Sequence, residues 1–329
     1  MLIDAESRNT NDKSKKKKVL PDLNSICNSY LKDRKNKLKS TTYYKLTQII
    51  DIYIKDKFRL VPVDKLIEQD FKRWYKFLSN YDINARSKNK YLNILKSIFK
   101  YVHIVYGYEC LYIQRLKNFK DYSIKEPTEE FRVFSFEDFK KLYPGLNDYD
   151  KLLLLTLFLF GIRAGELLAL TPKALLLDKN ILSIYQAVSW KTEKKGPVII
   201  SPKSKTSKRT YPLPGFYKTM IIDHINKNNL KNNNYIFFSP LSIKKPLSST
   251  SLQRKLNEWS KIIDYHLYPH LFRHSAISQL YASGLKLEDI KNLMGHSSEE
   301  ITRNFYLHQT KESEKSLEEY LERMFLNIK

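Results

Sequence analysis

Residues 160–166 have the sequence Phe-Gly-Ile-Arg-Ala-Gly-Glu, and they end an almost wholly apolar segment, residues 150–160. Because that segment is apolar on all sides, it is predicted to be a helix buried inside a domain. Gly161 permits a tight reversal of the chain, since glycine adopts backbone angles that other residues avoid. Arg163 is therefore expected to emerge at the end of a rigid, buried element.

The surrounding sequence predicts a mixed α/β domain over residues 133–311. Ser135 begins the sequence Ser-Phe-Glu-Asp, a capping pattern typical of a helix start. Residues 177–184 and 197–213 are predicted to be short strands, with residues 202–213 forming a basic hairpin. The remainder is expected to be helical, and an apolar stripe at helical spacing predicts a C-terminal helix within residues 312–329.

The N-terminal half predicts a smaller, all-helical domain over residues 22–118. Apolar residues recur at helical spacing in residues 41–55 and 63–78, and most clearly in residues 87–105. Residues 1–21 are expected to form a basic flexible tail, and the polar residues 119–132 a linker. The predicted fold class is therefore mainly α with a small β-sheet, in two domains.

The strongly positive charge indicates a polyanionic partner. The 329 residues include 58 Lys and Arg against 35 Asp and Glu, a formal net charge of +23. Such a surplus attracts nucleic acid first and an anionic membrane surface second. A Lys-rich proteome would give the same surplus of positive charge in a protein that binds no polyanion. The two cysteines are far apart, and no apolar run is long enough to cross a bilayer, so a soluble protein of a reducing cytoplasm is expected.

Further marks follow Arg163 in a fixed order. Pro-Lys-Ser-Lys occupies residues 202–205, and Pro-His-Leu-Phe-Arg-His occupies residues 269–274. Leu-Met-Gly-His occupies residues 293–296, and Tyr306 stands ten residues after His296. His270 and Arg273 are three residues apart, so both face one side of a helix. Each mark alone is weak, but their order together indicates a single catalytic site.

These residue types suit phosphoryl transfer on a DNA diester. Arg163 and Arg273 each offer a planar set of donors to the non-bridging oxygens, where negative charge grows in the transition state. Tyr306 is the candidate nucleophile, and its phenol, with an ordinary pKa of roughly 10, needs help to lose its proton. His270 is the candidate base, and Lys203, or alternatively Lys205, the acid that protonates the departing 5′ oxygen.

Two further groups complete the predicted site. His296 is expected to donate a hydrogen bond to the phosphate or to position Tyr306. Glu166 is expected to brace Arg163 or a neighbouring helix. No metal and no cofactor is expected, because the arginines take the charge-stabilising role of a metal ion.

The set Arg163, Lys203, His270, Arg273, His296 and Tyr306 resembles the catalytic signature of the tyrosine recombinases, or phage integrases. The resemblance covers residues 22–326 and is strongest in residues 160–166 and 268–306. It implies a two-domain DNA clamp, a 3′-phosphotyrosine intermediate and a homotetramer on DNA, in which a C-terminal helix packs on its own domain or on a neighbouring subunit. Phe160 and Gly165 stand where the family usually has Thr and Ser, and little chain precedes Asp22 for an arm-binding domain.

The resemblance and the basic segments together give candidate DNA contacts. Residues 39–44 and 89–101 resemble the core-binding domain of the family, and the basic face of residues 87–105 and the basic hairpin also suit phosphates. The candidate DNA-binding residues are Lys39, Thr41, Tyr43, Arg86, Lys88, Asn89, Lys96, Lys205, Lys208 and Arg209.

The sequence thus predicts a recombinase that integrates and excises a phage or conjugative transposon at double-stranded DNA attachment sites. It would act in the bacterial cytoplasm, associated with the nucleoid, with possible DNA-bending or excision factors. Four alternatives stay open: a Xer-like chromosome-dimer resolvase, a non-catalytic DNA-binding protein on the same fold, a type IB topoisomerase, and a basic helical protein that only coats nucleic acid.

Overall fold

The structure, a computed structural model, describes residues 19–120, 132–190, 196–200 and 208–295. The chain divides into two compact units, one up to residue 124 and one from residue 125 onward. The first unit contains the helices α1 (Leu23–Lys35), α2 (Ser40–Tyr53), α3 (Glu68–Asn80), α4 (Ala85–Tyr106) and α5 (Leu111–Arg115).

The second unit is mixed. Its helices are α6 (Phe136–Leu142), α7 (Asp148–Phe160), α8 (Ala164–Leu167), α9 (Gly215–Lys227), α10 (Ser249–Ile263), α11 (Pro269–Ala282) and α12 (Leu287–Met294). Its strands are β1 (Leu175–Leu176), β2 (Ile181–Ile184), β3 (Ala187–Ser189), β4 (Val198–Ile200), β5 (Arg209–Pro212), β6 (Phe238–Ser239) and β7 (Ser242–Pro246). The predicted class, mainly α with small sheets and a helical N-terminal domain before a mixed α/β domain, is confirmed.

The core of the first unit forms around α4. One face of this helix buries Leu92, Leu95, Ile98, Phe99 and Val102, which are five of the six apolar positions predicted from the helical spacing of residues 87–105; the sixth, Tyr91, is half-buried. The helix begins after Asn84, whose side chain accepts a hydrogen bond from the backbone N–H of Ser87. Gly107 ends it in the left-handed conformation, with φ of 70°.

The predicted helix over residues 63–78 was wrong in its first turn. Residues Val63–Lys65 form a separate 3-10 turn, and α3 begins only at Glu68. The physical reason is Asp70, which is 1% exposed and accepts hydrogen bonds from the backbone N–H of Ile67 and from Arg59. The apolar spacing continues across the break, but this buried carboxylate caps a new helix start.

The second unit packs around α7, whose residues Leu152–Phe160 are all buried, as the sequence predicts. The predicted capping by Ser135 is also confirmed, since its Oγ accepts from the N–H of Asp138 at 3.1 Å. None of the helices in the described part of the chain is long and apolar enough to cross a membrane.

The strand predictions were right in kind but wrong in pairing. Residues 177–184 split into a 3-10 turn and β2. In the described residues β4 pairs with β3, and β5 pairs antiparallel with β2, so the two strands that flank residues 201–207 lie in different sheets. The hairpin predicted between those strands is therefore replaced by two separate pairings. As a result β5 lies at the edge of the sheet β1-β2-β5, where it pairs with β2 and contacts α12.

Candidate active site

Arg163 lies at the junction between α7 and α8. Gly161 ends α7 in the left-handed conformation with φ of 51°, and Arg163 is the N-cap residue of the short helix α8. Its backbone N–H donates to Oε2 of Glu166 at 3.0 Å, and its Nη1 donates to Oε1 of the same carboxylate at 2.9 Å. The Arg163 side chain remains 35% exposed, so one carboxylate fixes both its backbone and its guanidinium while leaving it open to solvent.

The prediction that Arg209 binds DNA was wrong, because this residue is buried. Its side chain is only 4% exposed, and it donates to both oxygens of Glu166, from Nη1 at 3.1 Å and from Nη2 at 2.7 Å. A guanidinium so enclosed presents no donor to a phosphate on the surface. The sequence placed Arg209 among exposed basic residues because it directly follows Lys208, which is exposed. Strand alternation instead turns Arg209 inward.

His270 and Arg273 lie in the first two turns of α11, on the helix that the sequence predicts. Arg273 is buried, at 3% exposure, while His270 is exposed. The Arg273 guanidinium donates from Nη1 to the carbonyl of Gly161 at 3.1 Å, and so joins α11 to the end of α7. The contact between the two helices is close, because a Cβ added at Gly161 would lie 2.7 Å from the Cβ of Ala276.

The two candidate catalytic arginines meet at the C-terminal end of α12. Nη2 of Arg163 donates to the carbonyl of Gly295 at 2.9 Å, and Nη2 of Arg273 donates to the neighbouring carbonyl of Met294. The last carbonyls of a helix carry partial negative charge and attract cations. Two residues distant in sequence thus direct their guanidiniums to adjacent acceptors, immediately before His296 in the chain.

The electrostatics of this cluster favour an anion. Arg163, Arg209 and Arg273 together with Glu166 carry a surplus of two positive charges, three minus one. Burial, and then the charge of Arg163, lowers the pKa of Arg273 to about 10, so it remains a cation at neutral pH. Uncompensated positive charge in a poorly solvated site is stabilised by an entering phosphate.

The same charges act on His270. Partial desolvation of the imidazole, followed by the charges of Arg273 and Arg163, lowers the pKa of His270 below its ordinary value of 6.5. The ring is therefore neutral at pH 7, and its unprotonated nitrogen can accept a proton. This protonation state is the one that a general base requires.

Several predicted site residues lie outside the described residues: Lys203, Lys205, His296 and Tyr306. The structure therefore brings together Arg163, Glu166, His270 and Arg273. A partner that the sequence did not indicate is Tyr211, whose hydroxyl donates to the carbonyl of Leu293 at 2.7 Å. Its position two residues after Arg209 on a strand is the signal that could have placed it in the site.

Among the predicted DNA contacts of the first unit, Lys39 and Arg86 are exposed, and Thr41 and Tyr43 are half-buried. Two lysines of α4 instead bind carbonyls of their own unit. Nζ of Lys88 donates to Ser79 at 2.5 Å, and Nζ of Lys96 donates to Leu116 at 3.1 Å. The basic face of α4 is thus partly used to hold neighbouring segments.

Asn89 is a further case of a predicted DNA contact with an internal role. Its side-chain amide donates to the carbonyl of Phe119 at 2.9 Å and accepts from the N–H of Phe119 at 2.7 Å. The Phe119 ring stacks on Tyr75 with centroids 4.2 Å apart. Asn89 therefore ties the end of the described first unit to α4. A groove of about 630 Å³ beside it is lined by Arg86, Lys90 and Asn93, of which the last two were not predicted.

Within the described residues, no group of three or more His, Cys, Asp or Glu side chains is arranged to hold a metal ion. The cluster instead gathers the donors of Arg163, Arg273 and Tyr211 at the last carbonyls of α12. Such a set can bind a phosphodiester through its oxygens and, with a nearby nucleophile, can stabilise the charge that develops when that phosphate is attacked.

Comparison with known proteins identifies the family of this chain. The chain matches the Phage integrase family over residues 132–313 and the phage integrase N-terminal SAM-like domain over residues 10–79. The transposase from transposon Tn916 of Enterococcus faecalis is 24% identical over 315 residues, which cover 88% of this chain and 75% of the relative. A XerC-like tyrosine recombinase from Caldanaerobacter subterraneus is 27% identical over 221 residues, which cover 60% of this chain and 55% of the relative.

The fold has a similar counterpart among solved structures. The Tn1549 transposon integrase in complex with a circular intermediate DNA superposes with a TM-score of 0.68 at 20% identity, over 87% of this chain and 96% of that one. The family match covers more than half of the chain and contains every catalytic candidate from Arg163 to Tyr306. The chain therefore belongs to the phage integrase family, the tyrosine recombinases.

Proposed function

We propose that this protein is a site-specific recombinase that integrates and excises a mobile element, of the conjugative-transposon or phage kind, through a covalent link between DNA and Tyr306. The observation that carries the proposal is the meeting of the Arg163 and Arg273 guanidiniums on the adjacent carbonyls of Met294 and Gly295. Two planar cations directed to one place are what a scissile phosphate requires.

The scissile phosphate would replace those carbonyls as the acceptor of the two arginines. A phosphate oxygen carries negative charge and can accept two parallel N–H···O bonds from one guanidinium, so it competes well with a neutral peptide carbonyl as the acceptor. The surplus positive charge of the cluster adds to this preference. As phosphorus becomes five-coordinate, its non-bridging oxygens gain charge and the same donors bind more tightly, which lowers the barrier.

The proton transfers are assigned to three residues. Tyr306 Oη attacks phosphorus and gives its proton to His270, which is neutral at pH 7 because its pKa is lowered. The bond from phosphorus to the 5′ oxygen breaks, and Lys203, or alternatively Lys205, supplies the proton to that oxygen. In the second step a 5′ hydroxyl of another strand gives its proton to that lysine and attacks the phosphotyrosine, and the departing Tyr306 Oη takes back the proton held by His270. His296 holds the phosphate or the nucleophile, and Glu166 holds Arg163.

The relatives support a mobile-element role. The match to the Tn916 transposase covers 88% of this chain, whereas the match to the XerC-like recombinase covers 60%. Double-stranded attachment-site DNA is the proposed substrate, and the proposed assembly is a homotetramer on DNA. DNA-bending and excision factors of the bacterial cytoplasm, acting on the nucleoid, would give the reaction its direction.

The test is covalent capture of the protein on DNA. Nicked duplexes that carry the boundary sequences of the element encoding this chain trap the cleaved strand, because the short fragment that bears the new 5′ hydroxyl dissociates and cannot religate. We expect a denaturant-resistant protein–DNA adduct with the native protein and none with Tyr306→Phe. Tyr235→Phe, which removes the hydroxyl of a half-buried tyrosine outside the cluster, is the matched control and should form the adduct.

The outcomes separate the alternatives. An adduct in the Tyr306→Phe protein would mean that another residue is the nucleophile, and its absence in the native protein would indicate a non-catalytic DNA-binding protein. A Xer-like resolvase would recombine a chromosomal dimer site in preference to the element boundaries. A topoisomerase would relax supercoiled plasmid without sequence preference.

A further inference from the structure

Two residues of β5, Arg209 and Tyr211, face inward from alternate positions of the strand. Both are buried, at 8% and 2% exposure, whereas Thr210 between them is exposed. Residues two apart on a strand share one side of the sheet. This side faces the candidate active site, and neither residue belongs to the catalytic set predicted from the sequence.

Arg209 contacts Glu166 through two parallel hydrogen bonds, at 3.1 and 2.7 Å. The same carboxylate accepts from the backbone N–H and from Nη1 of Arg163, at 3.0 and 2.9 Å. Because Glu166 is 4% exposed in its side chain, water does not replace these contacts. Arg209 therefore fixes the carboxylate that fixes Arg163.

Tyr211 extends the contact to α12. Its hydroxyl accepts from Nε of Arg209 at 3.0 Å and donates to the carbonyl of Leu293 at 2.7 Å. The next two carbonyls, of Met294 and Gly295, accept from Arg273 and Arg163. A continuous set of hydrogen bonds thus runs from β5 to both catalytic arginines by two routes, one through Glu166 and one through the end of α12.

A purely stabilising role for this buried ion pair is the weaker explanation. A buried ion pair is poor at adding net stability, because removing both charges from water costs about as much as their attraction returns. Arg209 also adds a third cation beside Arg163 and Arg273, and its charge contributes, after burial and the charge of Arg163, to lowering the pKa of Arg273. An arrangement that concentrates like charge is expected where a bound anion will compensate it.

We propose that Arg209 and Tyr211 are positioning residues of the recombinase, which hold Glu166 and the end of α12 so that Arg163 and Arg273 face one scissile phosphate. This inference rests on the proposed function. β5 begins six residues after Lys203, so the strand also joins the segment of the candidate acid to the two arginines. Neither Arg209 nor Tyr211 touches the DNA in this proposal.

The first variant is Arg209→Lys, which keeps the charge and loses the two-point contact with Glu166. Cleavage is measured in a single turnover at saturating protein on a nicked boundary duplex, so that weaker binding does not affect the rate. We expect the rate constant to fall about 10- to 100-fold, by analogy with the loss of residues that orient metal ligands.

Cleavage of a modified DNA distinguishes a role of Arg209 in positioning Arg163 from a purely structural role. A duplex with a methylphosphonate at the scissile position has no negative charge there, so Arg163 has less charge to neutralise. If Arg209 acts through Arg163, the defect of Arg209→Lys shrinks at least several-fold on this DNA relative to the ordinary phosphate. A defect of equal size on both duplexes overturns the proposal.

A second pair of variants covers the case in which Arg209→Lys does not fold. Tyr211→Phe removes the hydroxyl between Arg209 and Leu293, and Tyr217→Phe removes a buried hydroxyl that is bonded to Thr156 at 2.8 Å. We expect slower cleavage for Tyr211→Phe, with the same partial recovery on methylphosphonate DNA, and an unchanged rate for Tyr217→Phe. Equal rates for the two variants overturn the proposal, whereas a native protein that does not cleave at all would refute the proposed function instead.

Discussion

Replacing Glu166 by Gln gives the sharpest test of the charge arrangement at the site. Glu166 accepts four hydrogen bonds between 2.7 and 3.1 Å, two from Arg163 and two from Arg209. Glutamine has nearly the same shape, but its amide nitrogen is a donor and would face the donors of one of these arginines. The change therefore leaves the Arg209 guanidinium, 4% exposed, without a compensating charge.

The expected cost follows from this burial. Removing one partner of a buried ion pair destabilises a protein by about 3–5 kcal/mol. With a urea dependence of about 2 kcal/mol per molar, the unfolding midpoint of the second unit should fall by about 1.5–2.5 M. The matched control is Glu137→Gln, an 80% exposed glutamate paired with Lys140 at 3.3 Å, for which a change within about 0.5 kcal/mol is expected.

The pH dependence gives an independent check of the same reasoning. Burial raises the pKa of Glu166, but its hydrogen bond to Arg209 and the charges of Arg209 and Arg163 outweigh burial and lower the pKa below 4.5. A carboxylate with a lowered folded-state pKa stabilises the protein above pH 4.5 and loses that contribution as the pH falls through the lowered value. The difference in unfolding midpoint between native and variant protein should therefore be full at pH 7 and narrow in acid. If Glu166→Gln shifts the midpoint no more than Glu137→Gln, the carboxylate of Glu166 does not stabilise the second unit through its charge.

Three other predictions address the base, a close packing contact and a DNA contact. Because the pKa of His270 is lowered, the cleavage rate measured below saturating protein should rise with pH to a plateau, with a midpoint below pH 6.5. His270→Gln should flatten this profile, and a midpoint well above pH 6.5 would contradict the role of His270 as the base. A Cβ added at Gly165 would lie 2.8 Å from the carbonyl oxygen of Val188, so Gly165→Ala should destabilise by about 1–3 kcal/mol in urea unfolding, whereas Gly145→Ala, with nothing within 4 Å, should not. Exposed Arg86 should contact a phosphate, so Arg86→Ala should weaken binding to all DNA sequences alike and reduce the slope of log affinity against log salt by about one; an unchanged slope would place it off the DNA.

The helices were largely predictable from sequence, whereas the pairing of the strands was not. The apolar stripe of α4 and the buried segment of α7 follow from side-chain spacing, which is a property of a few consecutive residues. The start of α3 at Glu68 is set by Asp70, which caps the N–H of Ile67, whereas the burial of that carboxylate beside Arg59, eleven residues away, is a tertiary contact. The partners of β4 and β5 depended on the packing of the whole second unit, since strand alternation alone does not say which strands will pair.

The sequence by itself determined the local parts of the site. His270 and Arg273, like Arg163 and Glu166, are three residues apart, so a single helical turn brings each pair together whatever the rest of the chain does. Only the tertiary structure decided that Arg209 is enclosed by a carboxylate 43 residues away, and that the two catalytic arginines reach adjacent carbonyls at the end of α12. The physical reason is that the charge of an arginine is fixed by its chemistry, whereas its solvation and its partners are fixed by residues that folding brings near it.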